Sequence, residues 1–244
     1  LDTTNNGIRI WYREHKLTVL NFSQREDLSA ATEILLQLPA EPGALIPTEA
    51  QTHLRKLFLE YMQSGQYRGY FIIGPDNINL ASSRDSNVGT PNLLKVYPDV
   101  LDKLWDGQSI ISPIMASDVP LKEFDLPDRV ETMFVGAPIK NSKGQVIALL
   151  TLRIDPHENL YPLLSEGRIG NSGETYAFDR RGLMLNPSRF QDNLEEMGLI
   201  NSANAEYETA RQYLAGSRIV LKDPGVDLRT NRGQAVPMDH RPLT

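Results

Sequence analysis

The sequence contains no cysteine, and this absence excludes several kinds of chemistry at once. A chain without thiols forms no disulfide, no thiolate zinc centre and no cysteine nucleophile. Long hydrophobic runs are also missing, because no stretch approaches the roughly 18 apolar residues that a membrane-spanning helix needs. The chain itself therefore has the composition of an ordinary globular protein, with 40% hydrophobic and 23% charged residues.

An excess of positive charge is lacking as well. The chain carries 25 lysines and arginines against 31 acidic residues, which gives a formal net charge of −6. Nucleic-acid binding needs a basic patch or stripe, and none is visible in the sequence. We therefore expect no nucleic-acid partner, and the acidic balance favours solubility.

The sequence also lacks a catalytic set. The four histidines have neither the spacing of a metal-binding helix nor a nucleophile motif beside them. Asp155, His157 and Glu158 offer possible metal ligands, but a charged helix start explains them more simply. The glycines of 167–173 precede a strand and not a helix, so they do not form a phosphate loop. We predict no catalytic residue, no metal and no cofactor, and we expect that this chain is not an enzyme.

Two hairpin patterns recur about a hundred residues apart. In Tyr70–Arg84, a strand-forming run is followed by the turn Gly-Pro-Asp-Asn, a second strand and Ser-Ser-Arg. Tyr176–Arg189 repeats this order around Asp-Arg-Arg-Gly and ends in Ser-Arg. A unit that occurs twice predicts two similar domains in tandem.

The motifs of these hairpins resemble those of a known family. Gly-Glu-Thr-Tyr at 173–176, with Gly-Leu-x-Leu and Ser-Arg-Phe after it, is similar to the membrane-proximal half of a double Cache sensor domain. Residues 69–89 and the run Thr-Met-Phe-Val-Gly-Ala-Pro at 132–138 are similar to the membrane-distal half. Double Cache domains are tandem PAS-like extracellular modules of bacterial sensor kinases and chemoreceptors. The resemblance covers residue 48 to the end.

The resemblance implies an α+β fold in which a long N-terminal helix is followed by two tandem PAS-like domains. Each domain has a central antiparallel sheet of about five strands flanked by helices. We expect a stalk helix and connector over 1–47, a membrane-distal sensor domain over 48–156 and a membrane-proximal domain over 157–244. The second domain has no counterpart of the hairpin at 132–154, so we expect it to be incomplete in this chain.

Periodicity predicts the elements. Apolar residues at three- and four-residue spacing predict one helix from Ile8 to Leu38, which spans about 45 Å. Thr48 is the expected N-cap of a second helix, Glu49–Gln63. Thr132–Ile139 and Gln145–Ile154 are the most regular strands, and the second is apolar enough to be central. We expect helices on one face of the resulting sheet.

PAS-like sheets bind small molecules between the sheet and the loops that cover it, as the resemblance implies. An arginine fork suits a carboxylate, hydroxyls orient it, and an aromatic ring offers a wall or a cation–π face for an amine. Arg84 has a counterpart in Arg189, so it has an alternative role in bracing the fold. The arginine-x-tryptophan signature of the amino-acid-binding subgroup is absent. The predicted ligand-binding residues are Tyr70, Ser83, Arg84, Asp85, Thr132, Phe134, Thr151 and Arg153.

The sequence therefore predicts the periplasmic, small-molecule-sensing domain of a membrane-anchored receptor, in which the ligand is a carboxylate or an amine. Because the chain starts at Leu1 without a methionine or signal peptide, we expect it to be a piece of a longer protein. The expected output is a histidine kinase, and a homodimer through the N-terminal helix is possible. Alternatives are a chemoreceptor, a nucleotide cyclase, a ligand-free dimerisation scaffold and a soluble α+β enzyme.

Overall fold

The computed structural model describes residues 2–117, 131–165, 226–227 and 236–237. The chain divides into two compact units, residues 10–159 and residues 1–9 with 160–244. The predicted domain boundaries at 47 and 156 remain a prediction. The second hairpin, Tyr176–Arg189, and the incomplete sheet expected around it lie outside the described residues.

The N-terminal segment forms two helices. α1 spans Asp2–Ser23 and α2 spans Glu26–Leu36, so the expectation of one unbroken helix over Ile8–Leu38 is wrong. Arg25 has extended φ and ψ of −72° and 132°. Its guanidinium donates two hydrogen bonds to Asp27, at 2.9 and 2.8 Å, and the Asp27 carboxylate also accepts from the Leu28 amide at 2.9 Å. These bonds stabilise a new helix start without proline or glycine.

A buried polar contact fixes α1 within the unit of residues 10–159. His15 is 5% exposed, and its Nδ1 lies 2.9 Å from the hydroxyl of Tyr67. Trp11 contacts the His15 ring edge-on, with a centroid distance of 4.7 Å. Burial lowers the pKa of His15 to about 4 and raises the pKa of Tyr67 to about 12. The contact is therefore made by a neutral imidazole at neutral pH.

The next two helices are α3, Pro42–Leu45, and α4, Glu49–Gln63. Thr48 is the N-cap of α4, as predicted, and its side chain accepts a hydrogen bond from the Gln51 amide at 3.1 Å. The capping bond satisfies one of the amides that have no partner within the helix.

Among the described residues of this unit, six strands form the sheet: β1 is Gly69–Ile73, β2 Asn79–Ser82, β3 Ile110–Ile111, β4 Met115–Ala116, β5 Glu131–Lys140 and β6 Val146–Ile154. The order is β2-β1-β6-β5-β3, and β4 also pairs with β5. Every pairing among these strands is antiparallel, which confirms the predicted α+β class. The two longest strands are the two that periodicity predicted, and β6 is central.

Helices cover both faces of this sheet, whereas the sequence predicted helices on one face. On one face the Tyr70 ring of β1 stacks on Phe58 of α4, with centroids 4.3 Å apart. On the other face α5, Pro98–Trp105, packs with its Leu104 against Gly136 of β5. Side chains alternate along a strand, so successive residues of β1 face different helices. Strand β1 is buried along its whole length for this reason.

The β2 edge of the sheet is covered by the chain that follows it. The Asn79 amide donates to the carbonyl of Thr90 at 2.9 Å, and the Gly89 amide donates to the carbonyl of Asn79 at 2.8 Å. Ile78 and Pro91 form an additional antiparallel bridge. At the opposite edge β3 contains only two residues. Both edges therefore expose few backbone groups.

The last helices of the described region are α6, Pro156–Asn159, and α7, Tyr161–Ser165. In the unit that contains α7, the short strands β7, Val226–Asp227, and β8, Val236–Pro237, pair antiparallel. Of the helices in the described residues, none combines the length and hydrophobicity that crossing a membrane requires.

Candidate functional site

Cross-strand register brings four of the predicted residues onto one face of the sheet. Phe134 of β5 pairs with Arg153 of β6, and Gly136 pairs with Thr151. On the other side of β6, Phe71 of β1 pairs with the same threonine. Because directly opposed residues share a face, Phe134, Thr151 and Arg153 lie on the face that α5 covers. Thr132 is two residues before Phe134 and lies on that face as well.

Arg153 is the centre of this group. It is 4% exposed, and its guanidinium carbon lies 5.3 Å from the ring centroids of both Phe71 and Phe134. Its Nη1 donates to the hydroxyl of Ser117 at 3.0 Å. A planar cation that lies against two aromatic rings and donates to a hydroxyl is fixed in position.

Two threonine hydroxyls add polar atoms to this face. Thr132 is 2% exposed and Thr151 is fully buried. Within the part of the chain that the structure describes, neither hydroxyl oxygen has a hydrogen-bond partner. A buried hydroxyl without a partner is costly, so two of them beside a buried arginine make this face the candidate site.

The other end of the same face is apolar and filled. Leu104 of α5 is fully buried in a cluster with Phe71, Phe134 and Leu149. A Cβ atom placed on Gly136 would lie 2.9 Å from Leu104 Cδ2 and 3.2 Å from Thr151 Cγ2. The leucine therefore occupies the space that a side chain at position 136 would need. The polar end of the face lies toward Arg153 and the packed end lies beyond Leu104.

Tyr70 is not part of this group. It follows Gly69 on β1 and faces α4, where it is 1% exposed and stacked on Phe58. Burial raises the pKa of its phenol, and the nearby Arg55 opposes this rise. Tyr70 therefore packs into the core on the sheet face opposite to Arg153.

The remaining predicted residues follow β2. The Ser83 amide donates to the carbonyl of Tyr70 at 3.4 Å, which places Ser83 beside Tyr70 at the end of the pairing. The Arg84 amide donates to the hydroxyl of Ser82 at 3.3 Å. Asp85 is exposed and forms an ion pair with Arg55 of α4. The structure therefore does not bring these three residues together with Arg153.

A cluster of charged groups lies where β6 ends. Arg68 pairs with Glu158 and lies 3.8 Å from the carboxylate of Asp155, measured from Nε to Oδ2. His157 Nε2 lies 3.4 Å from Glu131 Oε2, and the hydrogen bond to Glu131 is the main reason that the pKa of His157 is raised. Among the described residues, no group of three or more acidic or histidine side chains is arranged to hold a metal.

Sequence reasoning missed four residues of the site: Phe71, Leu104, Ser117 and Gly136. Phe71 is the residue next to the predicted Tyr70, and the choice between them depends on which face of β1 meets α5. Only the register between β1 and β6 shows this. Gly136 carries no chemistry of its own, and its role is visible only because Leu104 lies against it.

Comparison with known proteins supports the fold. No family model matches the chain, and no curated protein does. The ligand-binding domain of the amino-acid chemoreceptor PctB of Pseudomonas aeruginosa, solved with L-Arg, aligns with a TM-score of 0.50 and 12% identity, over 78% of this chain and 64% of that one. The extracellular domain of the histidine kinase vpHK1S-Z8 aligns with a TM-score of 0.47 and 11% identity, over 94% and 83% of the two chains. The Escherichia coli DcuS sensor domain aligns with a TM-score of 0.45 and 9% identity, over 65% and 96%.

The fold of the described sheet and its helices is therefore that of the PAS-like Cache sensor domains, as the sequence motifs predicted, while the second predicted domain lies largely outside the described residues. The matched structures are periplasmic or extracellular sensor domains of receptors of more than one kind, including a chemoreceptor and a histidine kinase.

Proposed function

We propose that this chain is the periplasmic sensor domain of a transmembrane receptor and that it binds a small molecule at the α5-covered face of its sheet. The observation that carries the proposal is that the buried hydroxyls of Thr132 and Thr151, on the same sheet face as the buried guanidinium of Arg153, have no hydrogen-bond partner among the described residues. The fold supports it, because structures with this fold include domains solved with small ligands.

The ligand that fits this group best is a carboxylate. Phe71 and Phe134 would offer aromatic surface to an organic cation, but the guanidinium of Arg153 already lies against both rings. A ligand amine would meet like charge there, whereas a carboxylate would accept bonds from the guanidinium and the threonine hydroxyls. The proposed ligand class is therefore a small carboxylate and not an amine.

The proposed receptor is a two-component histidine kinase that is anchored in the inner membrane. This chain acts as its sensor without catalysis of its own, and the kinase activity belongs to another part of the receptor. Ligand binding favours one of two conformations of the sensor, and the N-terminal helix transmits this conformational change toward the membrane. The differential affinity needed for such coupling is typically about 1–3 kcal/mol. A chemoreceptor or a cyclase would use the same sensor step.

The proposal is tested by a thermal-shift screen with short carboxylates, amines and sugars, followed by calorimetric titration of each compound that raises the melting temperature. Carboxylates alone are expected to bind. Thr151→Val and Thr132→Val keep the side-chain shape, so each variant is expected to lose about tenfold in affinity, as loss of roughly 1.4 kcal/mol implies. Unchanged affinity in both variants would place the ligand elsewhere.

A ligand-free dimerisation scaffold is the second candidate. The observation that favours it is the filling of half of the sheet face by Leu104 and its neighbours, as in an ordinary core. In a scaffold, the whole panel would leave the melting temperature unchanged. Autophosphorylation of the full receptor would then also be independent of every compound tested. These two results together would favour the scaffold over the sensor proposal.

A further inference from the structure

The contact between Leu104 and Gly136 divides the site into two halves. The register along β5 and β6 runs from Arg153–Phe134 through Thr151–Gly136 to Leu149–Pro138. Polar groups lie at the first pair, and packed apolar side chains lie at the last. At the middle pair, Leu104 Cδ2 and Cδ1 would lie 2.9 and 3.1 Å from a Cβ on Gly136. The leucine therefore fills the boundary between the polar and the apolar half.

We propose that Leu104 closes the deep end of the ligand site and sets the maximum length of ligand that the site accepts. The inference deepens the proposed function and rests on it. A carboxylate held by Arg153 with its tail along the sheet toward Thr151 would meet the isobutyl group of Leu104, which lies over the next pair of this face, Gly136 and Thr151. Glycine at 136 is what allows the leucine to come this close to the sheet.

Packing explains why this one side chain would control ligand length. Leu104 is fully buried, and the position of a Cβ on Gly136 lies within 3.2 Å of both Leu104 and Thr151 Cγ2. A core packed at this density cannot yield space to a longer tail without moving α5. Replacement by alanine would leave a dry apolar cavity next to the polar end, and cavities of this kind bind small apolar groups.

Leu101→Ala provides a matched control. Leu101 lies on the same helix, is 5% exposed and belongs to the same hydrophobic cluster. Its removal destabilises the core in the same way, but it is not among the atoms nearest to Gly136. A change that appears in the Leu104 variant and not in the Leu101 variant therefore reports on the boundary itself, and not on a loosened core.

The probes are the straight-chain monocarboxylates from acetate to octanoate, titrated by calorimetry against the whole chain. Wild type is expected to bind the short members and to lose affinity beyond a limiting length. In Leu104→Ala the limit is expected to move up by about two methylene groups, and each newly buried methylene should tighten binding about fourfold. Leu101→Ala should keep the wild-type limit. Leu104→Val, which removes less volume, should shift the limit in the same direction if the alanine variant does not fold.

The outcomes separate this inference from the proposed function. If wild type binds but Leu104→Ala and Leu104→Val keep its length limit, the role of Leu104 is refuted while carboxylate sensing stands. If wild type binds no member and a Leu104 variant gains binding, the closure by Leu104 is supported and the sensor proposal for the native chain fails. If neither wild type nor any Leu104 variant binds a carboxylate, both the role of Leu104 and the sensor proposal are overturned.

Discussion

Arg153 has a fixed position because three kinds of contact act on one side chain. The strand places it opposite Phe134, its guanidinium lies against the edge-to-face pair of the Phe71 and Phe134 rings, and Ser117 accepts a hydrogen bond from one of its N–H groups. A buried cation loses its hydration, so such contacts offset part of the cost of burying it. The same contacts keep the N–H fork in one orientation, which is the condition for selective carboxylate binding.

A residue-scale prediction concerns His157. Its pKa is raised above 6.5, mainly by the hydrogen bond to Glu131. Folding therefore favours the protonated ring, and its contribution to stability is fully present below pH 6.5 and is lost as the pH rises through the higher pKa of the folded state. At acidic pH the free energy of unfolding should be lower in His157→Gln than in wild type, and this difference should shrink as the pH rises through the raised pKa of His157 in the folded state.

Urea unfolding at several pH values measures this gap. His53→Gln is the matched control, because His53 is half-exposed and pairs with Asp27 at the surface of α4. The lowered pKa of His15 has the opposite effect on stability, because the free energy of unfolding falls as the pH falls from 6.5 toward about 4. This effect is present in wild type and in both variants, so the quantity to compare is the difference in unfolding free energy between each variant and wild type. A gap that widens with rising pH would contradict the Glu131 contact.

At the scale of elements, the cap of α4 allows a direct test. Thr48 accepts from the Gln51 amide at 3.1 Å and donates to the carbonyl of Leu45 at 2.8 Å. Thr48→Ala removes both bonds and should lower the free energy of unfolding by about 1 kcal/mol. Thr52→Ala, one turn further along the same helix and exposed, should change it by less than about 0.5 kcal/mol. If urea unfolding gives equal losses of unfolding free energy for the two variants, the Thr48 cap stabilises the protein no more than an exposed threonine does.

The elements that sequence alone predicted well are those with a strong local signal. Thr48 before a periodic stretch predicted α4 to the residue, and two regular runs predicted β5 and β6. The break between α1 and α2 could not be predicted, because it depends on Arg25 and Asp27 bonding each other, not on a helix breaker. Four of the eight predicted site residues share one sheet face for a similar reason: alternation identifies the two faces of a strand, but only pairing with the partner strand shows which residues share a face.

For the whole molecule, α1 is the surface on which the proposed homodimer depends. Ile10, Tyr12 and Leu17 are exposed on it, at 58%, 40% and 46%. Leu17→Glu would place a charge in a helix–helix contact and should raise the dimer dissociation constant at least about tenfold. Leu59→Glu on α4 is the matched control, because Leu59 is 50% exposed. Sedimentation velocity over a concentration series measures the effect, and equal dissociation constants would exclude α1 as the contact.

The covered strand β2 and the two-residue strand β3 affect how readily this domain aggregates at high protein concentration. Growth of a cross-β fibre starts when a foreign strand docks along a free row of amides and carbonyls. Here the loop after β2 takes up those groups on one side, through Gly89 and Thr90, and the other side is too short to hold a guest strand. Concentrated protein is therefore protected against amyloid seeding from this sheet while it remains folded.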